Sequence, residues 1–140
     1  MNEIKIFTDG GSRGNPGPAG IGVYIVNGQG AVLAKLADKI GLATNNEAEY
    51  RALIKGLGWV VENQKKFESD TKIIFYLDSQ LVYSQVIGVY KVKNENLRKF
   101  IFEIREKEAI IKLPLFYNHI LRDKNHEADK LVNLALDNLF

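Results

Sequence analysis

The chain has 140 residues, enough for one domain with a hydrophobic core, which we place over residues 1–140. Its 46% hydrophobic and 26% charged residues are ordinary for a globular protein, and a net charge of +2 excludes a strongly basic surface. The absence of cysteine excludes disulfides and thiolate chemistry, and two histidines are too few for a histidine-rich zinc centre. No apolar run approaches the roughly 20 residues of a membrane span, and no signal peptide precedes the first strand pattern, so we expect a soluble, cytoplasmic protein.

The first part of the chain predicts three strands and a helix. Strand patterns cover residues 3–9, 21–26 and 31–40, and a loop rich in glycine and proline over residues 10–18 separates the first two. Asn27-Gly28 is a strong hairpin signal between the second and third strands. A helix with an apolar stripe follows the capping residues at 44–46.

The second part of the chain alternates strands and helices. Strands joined through helices are typical of parallel pairing with right-handed crossovers. The sequence therefore predicts an α/β fold with a mixed five-stranded sheet, three antiparallel strands followed by parallel ones, and helices on both faces. The predicted elements are a strand at 73–77, helices at 79–87 and 94–111, a strand at 115–121 and a last helix at 126–139.

Two aspartates stand where predicted strands end. Asp9 follows the apolar run at 4–8, and Asp78 follows the run at 73–77. If these strands are parallel neighbours, both carboxylates emerge at one edge of the sheet, where α/β proteins bind ligands. The alternative reading of each aspartate alone is a turn cap.

Further carboxylates lie in the first turns of two helices. Asp129 flanks the apolar face of the last helix, where the alternative role is stabilisation of the helix dipole. Asp137 points away from that face, and we expect it to be only solvated. Glu47 and Glu49 lie on opposite flanks of the first helix's apolar stripe, and periodicity does not choose between them.

A cluster of carboxylates without matching lysine or arginine implies a bound cation. Oxygen ligands select Mg²⁺ or Mn²⁺ rather than zinc. Two such ions side by side suit in-line displacement at phosphorus. The carboxylates therefore predict cleavage of a phosphodiester.

Four motifs carry a resemblance to a known family. They are FTDGGSRGNPGP at 7–18, TNNEAE at 44–49, LDSQ at 77–80 and NHEADKL at 125–131. Over nearly its whole length the chain resembles the type 1 ribonuclease H family, the endonucleases that cleave RNA within RNA/DNA hybrids. The resemblance implies the ribonuclease H-like fold and 5′-phosphate and 3′-hydroxyl products. It also implies two Mg²⁺ or Mn²⁺ ions on the four carboxylates Asp9, Glu49, Asp78 and Asp129, and so chooses Glu49 over Glu47.

The resemblance also implies a set of substrate-binding residues. Asparagine and glutamine offer both donors and acceptors, and the 2′-hydroxyl distinguishes RNA from DNA. Asn45 and Asn46 have the alternative role of helix caps, and Arg13 is either a phosphate ligand or an exposed loop residue. The expected hybrid contacts are Gly10, Gly11, Ser12, Arg13, Asn15, Asn45, Asn46, Ser79 and Gln80.

Two departures from the family pattern are visible. Many bacterial members have a histidine on a glycine-containing loop ten residues before the last aspartate. His119 has that spacing but lies in a strand pattern, so Arg122 is the alternative group assisting the leaving group or product release. The chain also lacks the basic, tryptophan-containing insertion of many members around residues 90–97. We expect a monomer that binds RNA/DNA hybrid.

Three other functions compete with this interpretation. One is a non-catalytic hybrid-binding module on the same fold, and another is a different nuclease of the same fold. The third is a phosphotransferase that uses the turn after Asp9 for ATP, which the short chain and the absence of a nucleotide-binding glycine motif disfavour.

Overall fold

The structure, a computed structural model, describes residues 2–140 as a five-stranded sheet with four α-helices. The predicted order of strands and helices is confirmed. No helix among these residues combines the length and apolarity needed to cross a membrane. The elements are β1 (Glu3–Ser12), β2 (Gly17–Asn27), β3 (Val32–Ala43), α1 (Asn45–Asn63), β4 (Lys72–Leu77), α2 (Gln80–Val86), α3 (Glu95–Ile110), β5 (Leu115–His119) and α4 (His126–Leu136), with short 3-10 turns at Gln64–Lys66 and Arg122–Lys124.

The sheet is mixed, as the sequence predicts. Its strand order is β3-β2-β1-β4-β5. The hairpin-linked pairs β1–β2 and β2–β3 are antiparallel, whereas β1–β4 and β4–β5, reached through helices, are parallel. The two central strands β1 and β4 therefore run side by side in the same direction, which brings their carboxyl ends to one edge of the sheet.

The predicted glycine-rich loop is mostly strand, which corrects the expectation for residues 10–18. β1 continues to Ser12 and β2 begins at Gly17, so only residues 13–16 connect them. A Cβ on Gly10 would overlap the backbone of Ala48 in α1, and one on Gly22 would overlap the backbone of α4. Both glycines permit a helix to approach the sheet closely; the loop prediction is wrong for Gly10, whereas Gly22 lies in a predicted strand.

Three element ends also differ from the prediction. β3 extends to Ala43, and β5 ends at His119 because its partner β4 ends at Leu77. α4 ends at Leu136 because Asn138 adopts a left-handed conformation with φ of 57°, and Leu139 N–H then donates to the Leu134 carbonyl at 2.8 Å. This closure of the helix end leaves Leu139 71% exposed.

The two faces of the sheet are covered unequally. α1 lies across one face, where its fully buried Tyr50, Leu53, Leu57 and Val60 pack in the core with the inward side chains of β1 and β4. α3 packs against α1 on the same side. On the other face, the shorter α4 covers only part of β1, β2 and β3. Its buried side chains there are Ala128, Leu131, Val132 and Ala135.

Candidate active site

Asp9 and Asp78 lie side by side at the carboxyl edge of the central strands. The parallel pairing of β1 with β4 ends at Thr8 and Leu77, so each aspartate is the next residue beyond the last pair. β1 itself continues past Asp9, paired only with β2, which corrects the expectation that this strand stops there. The expected meeting of the two carboxylates at one sheet edge is confirmed.

The first turns of α1 separate the two glutamates that periodicity leaves unresolved. Glu47 forms a capping box with Thr44: its Oε1 accepts from Thr44 N at 2.8 Å, and Thr44 Oγ1 accepts from Glu47 N at 3.1 Å. Glu49, one residue after the Ala48 backbone that contacts Gly10, is only 4% exposed and lies beside the aspartates. Glu47 therefore stabilises the helix end, and Glu49 belongs to the acidic cluster.

Asp9, Glu49 and Asp78 form a compact acidic cluster. Each offers one carboxylate oxygen, and these oxygens all lie within 4.8 Å of one another. Glu49 Oε2 and Asp78 Oδ1 are buried and accept no hydrogen bond, and no Lys or Arg within residues 2–140 forms an ion pair with any of the three. Buried carboxylate oxygens without donors fit a hard divalent cation.

Burial and mutual repulsion perturb the pKa values of this cluster. Burial raises the pKa of Asp9 to about 7; a hydrogen bond from Glu49 opposes the rise, and the charges of Asp78 and Asp129 add to it. Burial and the neighbouring Asp9 raise the pKa of Glu49 well above its ordinary value. Both raised pKa values disfavour the charged carboxylates, and a bound cation would favour the charged forms.

Asp129 lies at the rim of the cluster rather than within it. It is exposed in the first turn of α4, and it lines the same cleft, of about 410 Å³, as Asp9 and Glu49. Its charge is near enough to raise the pKa of Asp9. The structure thus brings the fourth predicted carboxylate to the site on a solvent-accessible helix end.

Most of the predicted substrate-binding residues border this cleft. Asn15 is not among the lining residues; its Oδ1 instead accepts from Asn45 N at 3.0 Å. Asn45 Oδ1 accepts from Ser12 N at 2.9 Å, which joins the end of β1 to the start of α1. The predicted residues that line the cleft are Gly10, Gly11, Ser12, Arg13, Asn45, Asn46, Ser79, Gln80 and Arg122.

Arg13 is held by the end of α4. Its Nη1 donates to Asp137 Oδ1 at 2.7 Å, and its Nη2 donates to Asn133 Oδ1 at 3.4 Å. The prediction that Asp137 is only solvated is therefore wrong. The sequence misses the pair because 124 residues separate its members.

The two candidates for assisting product release occupy different positions. His119 is the last residue of β5; its Nε2 lies 3.2 Å from the Asp78 carbonyl oxygen, and its ring lies beside Tyr83. Arg122, in the following 3-10 turn, lines the cleft. Arg122 is therefore the one of the two that borders the space open to a substrate.

Asn125 is a site residue that the sequence patterns do not single out. Its side chain is buried, and Nδ2 donates to Asp78 Oδ2 at 2.8 Å and to the Thr8 carbonyl at 2.9 Å. These bonds tie α4 to the ends of β1 and β4 and orient the Asp78 carboxylate. Its place at the start of the fourth motif is the one sequence signal that points to it.

Comparisons with known proteins agree with this fold. A family model described as reverse transcriptase-like matches residues 7–135. The Ribonuclease HI of Halobacterium salinarum is 40% identical over 135 residues, which cover 96% of this chain and 64% of that protein. The Ribonuclease H of Hydrogenovibrio crunogenus is 31% identical over 153 residues, covering 99% of each chain.

A solved structure of a ribonuclease H is also similar to this chain. LC11-RNase H1, isolated from compost and crystallised in complex with an RNA/DNA hybrid, superimposes with a TM-score of 0.86 at 42% identity over 96% of this chain and 97% of that one. The sheet order, the acidic cluster and the family match define a protein of the reverse transcriptase-like class. Within that class, the chain belongs to the type 1 ribonuclease H family. It spans about two thirds of the length of the Halobacterium relative and 36% of a bifunctional Mycobacterium tuberculosis relative, Rv2228c.

Proposed function

We propose that this chain is a metal-dependent endoribonuclease that hydrolyses the RNA strand of RNA/DNA hybrids. The observation that carries the proposal is the cluster of Asp9, Glu49 and Asp78, whose oxygens lie within 4.8 Å of one another and which forms no ion pair with a basic side chain of residues 2–140. The hybrid bound to LC11-RNase H1, a structure 42% identical to this chain, supports the choice of substrate.

The donor set fits two divalent ions, Mg²⁺ or Mn²⁺. Asp9, Glu49 and Asp78 would hold one ion, and Asp9 with Asp129 would hold the other, since Asp9 lies near all three other carboxylates. When bound, such ions lower the pKa of a water molecule and stabilise the leaving 3′-oxygen, which leaves 5′-phosphate and 3′-hydroxyl ends. Asn125 keeps the Asp78 carboxylate directed at the site through its 2.8 Å hydrogen bond.

The cleft supplies the contacts that distinguish RNA from DNA. Asn45, Asn46 and Gln80 border it with both donors and acceptors, which suits recognition of 2′-hydroxyls. The backbone at the end of β1 and Ser79 at the start of α2 approach the same space. Asn15 acts indirectly, because its side-chain oxygen accepts a hydrogen bond from the backbone N–H of Asn45.

Arg122 is the group that we propose assists the leaving group or product release. It borders the cleft, and its guanidinium is a permanent cation that can pair with a phosphate. His119, whose ring lies beside the Asp78 backbone, is the alternative candidate for this role. We also propose that the monomer is the active species.

The proposal is tested by cleavage of end-labelled RNA/DNA hybrid in Mg²⁺ and in Mn²⁺. Duplex DNA and duplex RNA serve as substrate controls, and a chelator removes the metal. Asp78→Asn removes a charge from the cluster, and Asp70→Asn is the matched control because Asp70 is exposed and lies outside the residues that line the cleft.

Internal cuts in the RNA of the hybrid alone, lost in Asp78→Asn and in chelator but retained in Asp70→Asn, are the expected result. Hybrid binding without cleavage in either metal would instead assign the chain as a non-catalytic hybrid-binding module. Cutting of duplex DNA in preference to the hybrid would assign it to another nuclease activity of the same fold.

A further inference from the structure

The sheet face opposite α1 carries a row of aromatic side chains that α4 leaves uncovered. Phe7 on β1 is paired in register with Tyr24 on β2 and with Tyr76 on β4. The Phe7 and Tyr76 rings stack with centroids 4.7 Å apart, and the Phe7 and Tyr24 centroids lie 6.3 Å apart. Three neighbouring strands thus present one continuous row of rings.

A second row lies on the same face, two residues nearer the start of β4. Ile74 on β4 pairs with Phe116 on β5, and Phe116 is 46% exposed. Phe7, Tyr24, Tyr76, Ile74 and Phe116 together form what we call the aromatic face. None of these five side chains is fully buried, although all lie on regular strands at the centre or edge of the sheet.

Lysines surround the aromatic face. Lys35 Nζ lies 6.0 Å from the ring centroid of Tyr24, and Lys72 Nζ lies 5.9 Å from that of Phe116. Lys5 on β1 pairs with Ile74 and so lies in the second row, and Lys124 lines a cavity of about 230 Å³ with Phe7 and Tyr24. Across residues 2–140, none of these four lysines forms an ion pair within 4.0 Å.

The acidic groups near this face are fewer. Glu127 lines the same small cavity, and Glu3 lies two residues before Lys5 on β1. The small cavity, which Asn125 and the start of α4 line, shares no lining residue with the catalytic cleft. The aromatic face is therefore a separate surface with an excess of positive charge.

We propose that the aromatic face binds single-stranded nucleic acid. Phe7, Tyr24 and Tyr76 are partly exposed and Phe116 is exposed, so their rings can stack with bases while the surrounding lysines contact the phosphates, the combination by which sequence-tolerant single-strand sites work. The planar bases of a single strand match the rings of this surface, and its phosphates match the lysines. A purely apolar protein partner would leave the four lysines without counter-charges.

The test measures binding of fluorescently labelled oligo(dT) and oligo(rU) by anisotropy, in chelator so that no RNA is cut. Tyr24→Leu/Tyr76→Leu removes the rings while keeping apolar bulk, and Lys35→Gln/Lys72→Gln removes two charges without touching the core. Phe102→Leu and Lys65→Gln/Lys99→Gln are matched controls on exposed positions elsewhere. Thermal unfolding of each variant establishes that it is folded.

Each aromatic-face variant is expected to bind both oligonucleotides about tenfold more weakly, because stacking and phosphate contacts each contribute to single-strand affinity. The control variants are expected to bind like the wild type. Hybrid cleavage, measured in parallel, is expected to be unchanged by Lys35→Gln/Lys72→Gln, so the outcome is independent of the proposed nuclease activity.

Absence of single-strand binding by the wild type at low salt overturns the proposal. So does binding that is lost in Asn45→Ala/Gln80→Ala but retained in both aromatic-face variants, because the strand then occupies the cleft. Self-association that light scattering detects in the wild type but not in Tyr24→Leu/Tyr76→Leu, without any oligonucleotide binding, assigns the face to a second copy of the chain instead.

Discussion

Asn125 holds Asp78 by a hydrogen bond of 2.8 Å from its side-chain Nδ2 to the carboxylate Oδ2. The same amide donates to the Thr8 carbonyl at 2.9 Å, one residue before Asp9. One buried side chain from the start of α4 therefore connects both strand ends that carry aspartates. The helix α4 therefore supports the acidic cluster through this amide, although its own carboxylate, Asp129, is exposed.

Replacing Asn125 should weaken both the fold and the site. Asn125→Ala leaves the Thr8 carbonyl without its side-chain donor, which costs about 1–3 kcal/mol of unfolding free energy. It also frees the Asp78 carboxylate, and loss of a group that supports a metal ligand lowers metal affinity or activity about 10- to 100-fold. Urea unfolding and hybrid cleavage over a range of Mg²⁺ concentrations measure the two effects.

Asn96→Ala, at an exposed position on α3, is the matched control and should change neither quantity. Equal loss of activity at all Mg²⁺ concentrations, including saturating ones, with unchanged metal affinity would contradict a role for Asn125 in orienting Asp78.

The two glutamates of α1 should have separable effects. Glu49→Gln should reduce cleavage by at least about a hundredfold, since even residues that only support metal ligands have effects of about 10- to 100-fold. Glu47→Ala should leave the rate constant near that of the wild type but lower the unfolding free energy by about 0.5–2 kcal/mol, because it breaks the capping box with Thr44. Single-turnover cleavage and urea unfolding of both variants give the comparison. An inactive, fully stable Glu47→Ala variant would reverse the assignment.

The metal-free protein should lose stability as the pH rises from about 4 to about 7. The pKa of Asp9 is about 7 in the folded protein and 3.8 when unperturbed, so the folded state binds more protons in this window. The stabilising contribution is complete below pH 4 and is lost as the pH rises through 7, a change on the order of 4 kcal/mol. Glu49, whose pKa is also raised, acts in the same direction.

Urea unfolding in chelator at intervals between pH 4 and pH 8 measures this dependence. Ordinary carboxylates titrate in the same range, so the informative quantity is the difference between the wild type and Asp9→Asn, which lacks the titrating group. A difference that stays constant over the whole range would rule out the raised pKa.

Divalent ions should stabilise the fold. A cation that binds only the folded cluster stabilises it by about 2.7 kcal/mol at a concentration 100 times its dissociation constant. The melting temperature should therefore rise on addition of Mg²⁺ or Mn²⁺ at neutral pH. The rise should be largest at the pH values at which the metal-free carboxylates are charged and repel one another most. Asp9→Asn should show little response. An equal rise in the variant and the wild type would point to binding elsewhere.

Arg122 should affect turnover more than His119. Hydrogen bonds to charged groups contribute about 1.5–3 kcal/mol, so loss of an arginine–phosphate contact in Arg122→Ala should lower the steady-state rate about 10- to 100-fold. His119→Ala should change it by less, because His119 lies against the Asp78 backbone outside the cleft lining. Steady-state and single-turnover rates on the same hybrid distinguish chemistry from product release. A larger effect of His119→Ala would exchange the two roles.

Local sequence determined most of the fold. Strand and helix periods, the Asn27-Gly28 turn and the capping residues of α1 predicted the order of elements, because these signals depend on neighbours within a few residues. Parallel pairing of β1 and β4 followed from their connection through a helix, and it brought Asp9 and Asp78 to one edge. The acidic residues themselves were therefore evident from the order of residues along the chain.

Only the tertiary structure decided what depends on contacts between distant segments. Gly10 belongs to a strand rather than to the predicted loop, and α1 packs directly on it, a contact that no local pattern expresses. The pairing of Arg13 with Asp137, and of Asn125 with Asp78, joins residues 124 and 47 positions apart. Glu49 rather than Glu47 faces the aspartates because α1 crosses β1 at Ala48. The sequence supplied the chemistry of the site, and close packing of helices on the sheet decided which groups meet there.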